Sequence, residues 1–142
     1  MENLGKKMDE ILSLKKYLTG LEGELEFFPG AITINQEFYT LSMGGKYCGS
    51  ITIVKDYPNI IVSELFLTKR KKGVGTRVFQ HIKSYAEGHG IKTITLQNIM
   101  DRDSDYNMSR ETRVKIYRKI AKRIGARDVT YDKERNNVIY LL

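Results

Sequence analysis

A strand that is apolar almost throughout leads through a short basic turn with two glycines into an amphipathic helix, and this combination narrows the fold more than any other part of the sequence. Asn59–Thr68 is nearly continuously apolar, which is typical of a buried strand. The turn contains Arg70-x-x-Gly73-x-Gly75, and apolar residues at four-residue spacing predict a helix from about Gly75 to Glu87. A second buried strand is predicted over Ile91–Ile99. Such a strand–helix–strand unit should be parallel and right-handed.

The rest of the chain predicts an α+β fold around one mixed sheet. A first helix is expected to end at Thr19-Gly20, and another is predicted over Ser109–Ile124 with Ser109 as its N-cap. Strand-like runs separated by turn residues account for most of the remaining sequence. These predicted strands are Glu24–Phe28, Ala31–Asn35, Phe38–Met43, Tyr47–Val54, Asp128–Tyr131 and Asn137–Leu142. Because the sequence has neither repeats nor a linker, we expect a single domain over residues 1–142.

The composition limits the class of protein. An apolar share of 41% is too high for a disordered chain. The longest uncharged run, Phe27–Gln36, is too short to span a membrane. No secretory signal is expected, because Lys6-Lys7 is followed by Met8-Asp9-Glu10 rather than by an apolar stretch. Cys48 is the only cysteine, which excludes an internal disulfide and a thiolate zinc site. We expect a cytoplasmic protein with no bound metal.

Positive charge is concentrated in the second half of the chain. The net charge is +7, and most of the lysines and arginines fall between Lys69 and Arg127. The predicted helix Ser109–Ile124 contains many of them against one acidic residue, Glu111. Such a stretch attracts phosphate-bearing partners. Charge alone leaves a nucleotide cofactor and a nucleic acid as alternatives.

The turn around Gly73 has the chemistry of an anion site. Backbone N–H groups in a tight turn point the same way, and the N-terminus of a helix adds a partial positive charge. Gly73 and Gly75 permit close approach of a ligand to the backbone. The sequence contains no P-loop, and a dinucleotide-binding loop would need a third glycine where Val78 stands.

Arg70-Lys-Lys-Gly73-Val-Gly75 resembles the pyrophosphate loop of the GNAT acetyltransferase superfamily, whose motif is Arg/Gln-x-x-Gly-x-Gly/Ala after a strand. The preceding strand, the following helix and the order of elements are also similar, and the resemblance is specific over Asn59–Ala126. It implies a three-layer α/β/α arrangement with a mixed, mostly antiparallel central sheet. In such a sheet the fourth and fifth strands are parallel and splay apart.

The resemblance also implies a function. Members of this superfamily transfer an acetyl group from acetyl-CoA directly to a primary amine. The pyrophosphate would bind the N–H groups of Lys71 to Thr76, and the pantetheine arm would pair with the backbone of Phe66 and Leu67. The cofactor-binding residues implied in this way are Phe66, Leu67, Arg70, Lys71, Lys72, Gly73, Val74, Gly75, Thr76 and Asn98.

Two side chains are candidates for the proton transfers. Glu64 is the only carboxylate in the predicted strand and matches an acidic position that serves as the base in relatives. In many relatives a tyrosine near the end of the last helix protonates the CoA thiolate, but Ala121 stands there in this chain. Tyr117 lies one turn earlier on the same face and is the candidate acid. Alternatively, Glu64 is a structural carboxylate and Tyr117 a core aromatic residue.

Two other functions remain open. The chain is alternatively a basic nucleic-acid-binding domain, although no RNA-binding or zinc-finger motif supports this. It is also a candidate for a CoA-binding domain without catalysis, because the usual tyrosine is missing. The amine acceptor can be a small molecule, a peptide or a protein, and Asp101-x-Asp103-x-Asp105 is either a site of attraction for it or a solvated loop. A homodimer through the first helix and the terminal hairpin is a further expectation.

Overall fold

The computed structural model describes residues 14–68, 73–97 and 110–142. The described elements follow the predicted order of helix, antiparallel strands, strand–helix–strand, helix and hairpin. They are α1 (residues 14–19), β1 (Leu25–Ile32), β2 (Gln36–Met43), β3 (Lys46–Asp56), β4 (Asn59–Leu67), α2 (Val74–Glu87), β5 (Thr93–Leu96), α3 (Arg110–Ile124), β6 (Asp128–Asp132) and β7 (Asn137–Leu141).

The strands form one mixed sheet in the order β1-β2-β3-β4-β5-β7-β6. Every neighbouring pair is antiparallel except β4 and β5, which are parallel and joined by α2. This confirms the predicted mixed sheet and its parallel pair. Pairing between β4 and β5 covers Asn59–Val62 and is followed by a hydrogen bond of 2.9 Å from the Gln97 N–H to the Val62 carbonyl. From residue 63 onward, the described part of β5 no longer accompanies β4.

A β-bulge divides β4 at Ser63. Glu64 pairs with Thr52 and Val62 with Ile53, so Ser63 is an extra residue with no residue opposite it in the register of β3. Its hydroxyl donates a hydrogen bond of 3.5 Å to the Thr52 carbonyl. Ile60 and Val62 point to one face, and strict alternation would place Glu64 there as well. The bulge instead turns Glu64 to the opposite face. The predicted burial of the whole strand is therefore wrong beyond Val62: Glu64 is exposed.

The described helices form a connected layer on one face of the sheet. The Phe79 ring of α2 lies 5.6 Å from Tyr140 of β7 and 6.4 Å from Tyr117 of α3, and α1 contacts α2 through Tyr17 and Tyr85. The third layer implied by the resemblance has no counterpart in residues 14–68, 73–97 and 110–142. Among those residues, no helix has the length and apolar character that crossing a membrane requires.

The core lies between this helix layer and the sheet. Its largest fully buried side chains include Tyr39, Tyr140, Phe79, Leu14, Leu18, Leu41, Ile51, Ile53, Ile60, Ile82 and Ile94. Cys48 is buried among them as a small apolar residue, and burial raises the pKa of its thiol.

Two predicted boundaries differ from the structure. The sequence predicts a turn at Pro29-Gly30 between the strands Glu24–Phe28 and Ala31–Asn35, whereas one strand, β1, continues through both residues to Ile32 with an irregular register. Proline is tolerated there because β1 is an edge strand, where a missing N–H donor leaves no partner unsatisfied. Residues 33–35, predicted as strand, instead form the turn into β2. The strand predicted over Ile91–Ile99 is shorter, Thr93–Leu96.

Candidate functional site

A cavity of about 310 Å³ lies where the end of β4, the beginning of α2 and the inner side of α3 meet. Five of the residues predicted to form the site line it: Leu67, Gly73, Gly75, Thr76 and Tyr117. Its walls differ in chemistry. β4 supplies apolar side chains, α2 supplies backbone N–H groups, and α3 supplies cationic side chains.

The beginning of α2, which borders this cavity, has N–H groups without a partner inside the helix. Gly73 precedes the helix in the left-handed conformation with φ 69°, and its carbonyl accepts the first helical hydrogen bond, from the Arg77 N–H at 3.0 Å. Helix geometry therefore leaves the N–H groups of Val74, Gly75 and Thr76 without a partner inside the helix. The Val74 side chain is buried in the core, so this residue can contribute only its backbone. The arrangement suits an anion.

The β4 wall consists of Leu65 and Leu67, which the bulge places on the helix side. β3 approaches this end of β4 closely at Gly49, where a Cβ atom would lie 2.0 Å from the Phe66 carbonyl oxygen. Gly49 also has φ 147°, a conformation that other residues avoid. Sequence reasoning missed this residue, although an isolated glycine inside a strand pattern is a signal of close backbone approach.

The α3 wall carries Arg113, Lys119 and Arg123. Arg113 is only 7% exposed, so a cation with little access to solvent lies beside the cavity. The sequence indicated a basic helix, but it did not assign these three side chains to the cofactor. Helical spacing is the signal that could have found them, because Arg113, Ile116, Lys119 and Arg123 follow one another at steps of three or four residues and therefore share a face of the helix.

Tyr117 also lines the cavity, and its position in the wall is fixed by neighbours. Its carbonyl accepts a hydrogen bond of 2.7 Å from the Tyr140 hydroxyl, and its ring packs edge-on against Phe79. Burial raises the pKa of Tyr140, so this phenol stays protonated and keeps donating. Tyr117 therefore combines the predicted cavity position with the packing of a core aromatic residue.

Glu64 and Phe66 lie on the other face of β4. Glu64 is paired with Thr52 and Phe66 with Ser50, and both side chains point away from α2 and α3. The structure thus places Tyr117 at the cavity, whereas Glu64 lies on the face of β4 that is turned away from the cavity. Glu64 and Phe66 both lie beyond Val62, the last residue of β4 that pairs with the described residues of β5.

Several predicted positions lie outside the described residues. They are Arg70, Lys71, Lys72, Asn98 and the acidic loop Asp101-x-Asp103-x-Asp105.

No family model matches the chain, and no curated protein is similar to it in sequence. Solved structures with a similar fold include the PaiA N-acetyltransferase from Thermoplasma acidophilum in complex with coenzyme A, with a TM-score of 0.52 and 13% identity over 76% of this chain and 62% of that chain. A GNAT family acetyltransferase from Elizabethkingia anophelis with acetyl-CoA bound has a TM-score of 0.52 and 9% identity over 84% of this chain and 97% of that chain. This chain thus spans less than two thirds of the first of these proteins. At such identities the likeness establishes the fold.

Proposed function

We propose that this chain, which has the fold of the GNAT acetyltransferases, transfers an acetyl group from acetyl-CoA directly to a primary amine. The observation that carries the proposal is the cavity at which the N-terminus of α2, the end of β4 and the cations of α3 converge. The proposal also agrees with the pyrophosphate-loop motif, of which Gly73 and Gly75 are described.

The walls of the cavity match the parts of acetyl-CoA. The N–H groups of Val74, Gly75 and Thr76 would hold the pyrophosphate, and Lys119 and Arg123 would balance its charge and that of the remaining phosphate. The apolar wall of Leu65 and Leu67 suits the methylene groups of the pantetheine arm. Phe66 and Leu67 would offer backbone groups to its amides, and Arg70, Lys71, Lys72 and Asn98 remain predicted ligands. When bound, acetyl-CoA supplies an acetyl group activated as a thioester.

Glu64 and Tyr117 would manage the protons. An amine at neutral pH is protonated and must lose a proton before it can attack. Glu64 would accept that proton on the face of the sheet on which none of the described helices packs, and Tyr117 would hold a proton on the cavity side. Overall, an N–C bond forms and the thioester C–S bond breaks. Of the two protons that the ammonium group loses, one ends on the sulfur atom and the other reaches solvent.

A thermal shift with acetyl-CoA, using ATP at equal concentration as the polyphosphate control, tests the proposed cofactor. At a hundred times Kd, a ligand of the native state adds about 2.7 kcal/mol to the free energy of unfolding. For a domain of this size, Tm should rise by ~6–12 °C. A large shift with acetyl-CoA and little with ATP is expected, and absence of an acetyl-CoA shift would refute the proposal.

Gly73 provides the matched pair of variants for this assay. A Cβ atom at this position would meet open space, so only the left-handed conformation restricts the residue. Gly73→Val should distort the turn and remove most of the acetyl-CoA shift, because β-branched residues avoid φ 69°. Gly73→Asn should keep most of the shift, because asparagine tolerates this conformation. Equal shifts in both variants would contradict the assignment of the turn.

A second candidate, a nucleic-acid-binding domain, is favoured by the exposed Lys115, Arg118 and Lys122 of α3. Equal small shifts with acetyl-CoA and ATP would support it, whereas an acetyl-CoA shift without transfer to any amine would indicate a cofactor-binding domain without catalysis.

The cytoplasmic location, the homodimer and the single domain over residues 1–142 stay predictions.

A further inference from the structure

The face of the sheet on which none of the described helices packs, here called the helix-free face, carries a row of four neighbouring side chains that ends near the end of β4. Phe28 pairs with Thr40, Thr40 with Ser50, and Ser50 with Phe66, so the row runs from β1 to β4. Phe28 and Phe66 are 49% and 37% exposed, which is unusual for such large apolar side chains. The two rings therefore border a strip of hydroxyl groups.

A second row runs beside the first. Phe38 pairs with Thr52 and Thr52 with Glu64. Thr52 is only 6% exposed although no described helix covers it, so larger neighbours on the same face shield it. Phe38 is 37% exposed, and its ring lies over Gly30, where a Cβ atom would be 2.7 Å from Cδ1. Together the two rows form a shallow trough with hydroxyl groups on its floor, Phe28 and Phe38 at one end, and Phe66 and the Glu64 carboxylate at its β4 end.

The carboxylate end of the trough adjoins the cavity across β4. Leu65 and Leu67 line the cavity, while Glu64 and Phe66 alternate with them and belong to the trough. Among the described residues, pairing of β4 with β5 ends at Val62. Because Glu64 and Leu65 are adjacent along β4, a molecule at the carboxylate end of the trough would lie the thickness of one strand away from the apolar wall of the cavity.

We propose that the acceptor is a primary amine on an apolar arm, which lies in this trough with its ammonium group beside Glu64 and its arm over Thr52 toward Phe38. The inference rests on the proposed function and names its substrate class. Neighbouring strands are about 4.8 Å apart, so the backbones of Glu64 and Phe38 are separated by about 10 Å across Thr52. That distance suits an arm of about six carbon atoms. A lysine side chain and a free arylalkylamine both have this chemistry.

Acetyl transfer to a series of amines tests the inference. We expect kcat/KM to be about tenfold or more higher for 2-phenylethylamine than for ethylamine, because the ring removes apolar surface from water. An Nα-acetylated lysine methylamide in the same series separates the two sources, since a preference for it over 2-phenylethylamine would indicate a protein or peptide acceptor. Equal or lower kcat/KM for both long amines than for ethylamine would overturn the inference.

Variants of Phe38 test where the apolar arm of the acceptor binds. Phe38→Leu should keep most of the preference for 2-phenylethylamine, whereas Phe38→Ser should bring the ratio of the two kcat/KM values close to one. Ile34→Ala is the matched control, because Ile34 is an exposed apolar residue in the β1–β2 turn outside the trough. A ratio unchanged in Phe38→Ser would place the amine elsewhere and refute the proposed position.

Binding without turnover separates failure of this inference from failure of the proposed function. We expect 2-phenylethylamine to raise Tm in the presence of CoA, and the anion 3-phenylpropionate to raise it less because Glu64 repels it. If acetyl-CoA itself gives no thermal shift, the proposed function fails. If acetyl-CoA gives its shift but amine and anion bind equally well, or no long amine is acetylated, only the inference on the acceptor fails.

Discussion

Gly49 is the residue at which β3 comes closest to the cavity-forming end of β4. A Cβ atom there would lie 2.0 Å from the Phe66 carbonyl oxygen and 3.0 Å from the Leu67 Cα, both of which are backbone atoms. Backbone atoms cannot swing aside as a flexible side chain does. Any side chain at position 49 must therefore move β4, and with it the apolar wall of the cavity.

Gly49→Ala is expected to destabilise the protein by about 1–3 kcal/mol, as overpacking does, and to abolish the thermal shift with acetyl-CoA. Urea unfolding and the thermal shift measure the two effects. Gly88→Ala is the control, because Gly88 has φ −79° and a Cβ atom there makes ordinary contact at 3.7 Å from the Tyr85 carbonyl. Full cofactor binding by Gly49→Ala would show that this end of β4 is not part of the site.

Glu37 is a carboxylate in the core that the sequence analysis did not single out. It is fully buried in β2, its Oε1 accepts a hydrogen bond from the Tyr39 hydroxyl, and its Oε2 lies 3.7 Å from the Lys55 Nζ. Burial raises the pKa of Glu37 above its usual range, against the opposing effects of Tyr39 and Lys55. Its position on the inner face of β2 follows from alternation with Tyr39 and Leu41.

Stability should depend on pH through Glu37. Because its folded-state pKa is raised, the native state binds the proton more tightly, and the free energy of unfolding falls as pH rises from about 4.5 through the raised pKa. This fall can reach about 1.4 kcal/mol per pH unit. Glu37→Gln should remove it, so the variant gains stability relative to wild type as pH rises.

Urea unfolding at several pH values between about 4.5 and 8 measures this difference. The ion pair with Lys55 forms only when Glu37 is ionised and is already contained in the net rise of the Glu37 pKa, so its loss in the variant leaves the sign of the expected difference unchanged. Glu26→Gln, at an exposed position of β1, is the control and should follow the wild-type slope. Parallel curves for wild type and Glu37→Gln would contradict the prediction.

At the scale of elements, α3 serves two environments with one amphipathic pattern. Ile120, Ala121 and Ile124 are buried against the rest of the protein. Cations flank this apolar stripe on the side of the cavity and also cover the solvent side. The composition of the helix could not separate the two groups of cations: spacing places Lys119 and Arg123 on one face, and the orientation of α3 relative to α2 turns that face to the cavity.

Arg123→Gln is expected to weaken acetyl-CoA binding by about tenfold, because a charge-assisted contact with phosphate is lost. Lys122→Gln removes the same charge from the preceding residue, which is exposed and does not line the cavity, and should change Kd little. Calorimetric titration of both variants at two salt concentrations measures Kd. Equal weakening by the two substitutions would mean that α3 acts only through its overall charge.

At the scale of the whole molecule, the order of elements and the position of the cavity could be predicted from the sequence. The period of apolar residues distinguishes α2 from its flanking strands, and the glycine pattern places the proposed anion site at the start of that helix, where the structure has the cavity. The exposure of Glu64 could not be predicted, because it depends on one extra residue in β4. The continuation of β1 through Pro29 also depends on tertiary context, since an edge strand alone tolerates it.

Because of the bulge at Ser63, the direction of β4 depends on its number of residues as well as on which residues they are. A bulged strand bends, and the bend begins where pairing with β5 ends. Deleting the single codon for Ser63 would keep Glu64 and Leu65 on their present faces, yet it would remove the bend and let β4 continue straight beyond Val62. Replacing Ser63 by another residue would leave the count of residues, and therefore the bend, as it is. The direction in which β4 approaches the cavity is thus encoded in the number of residues in one strand.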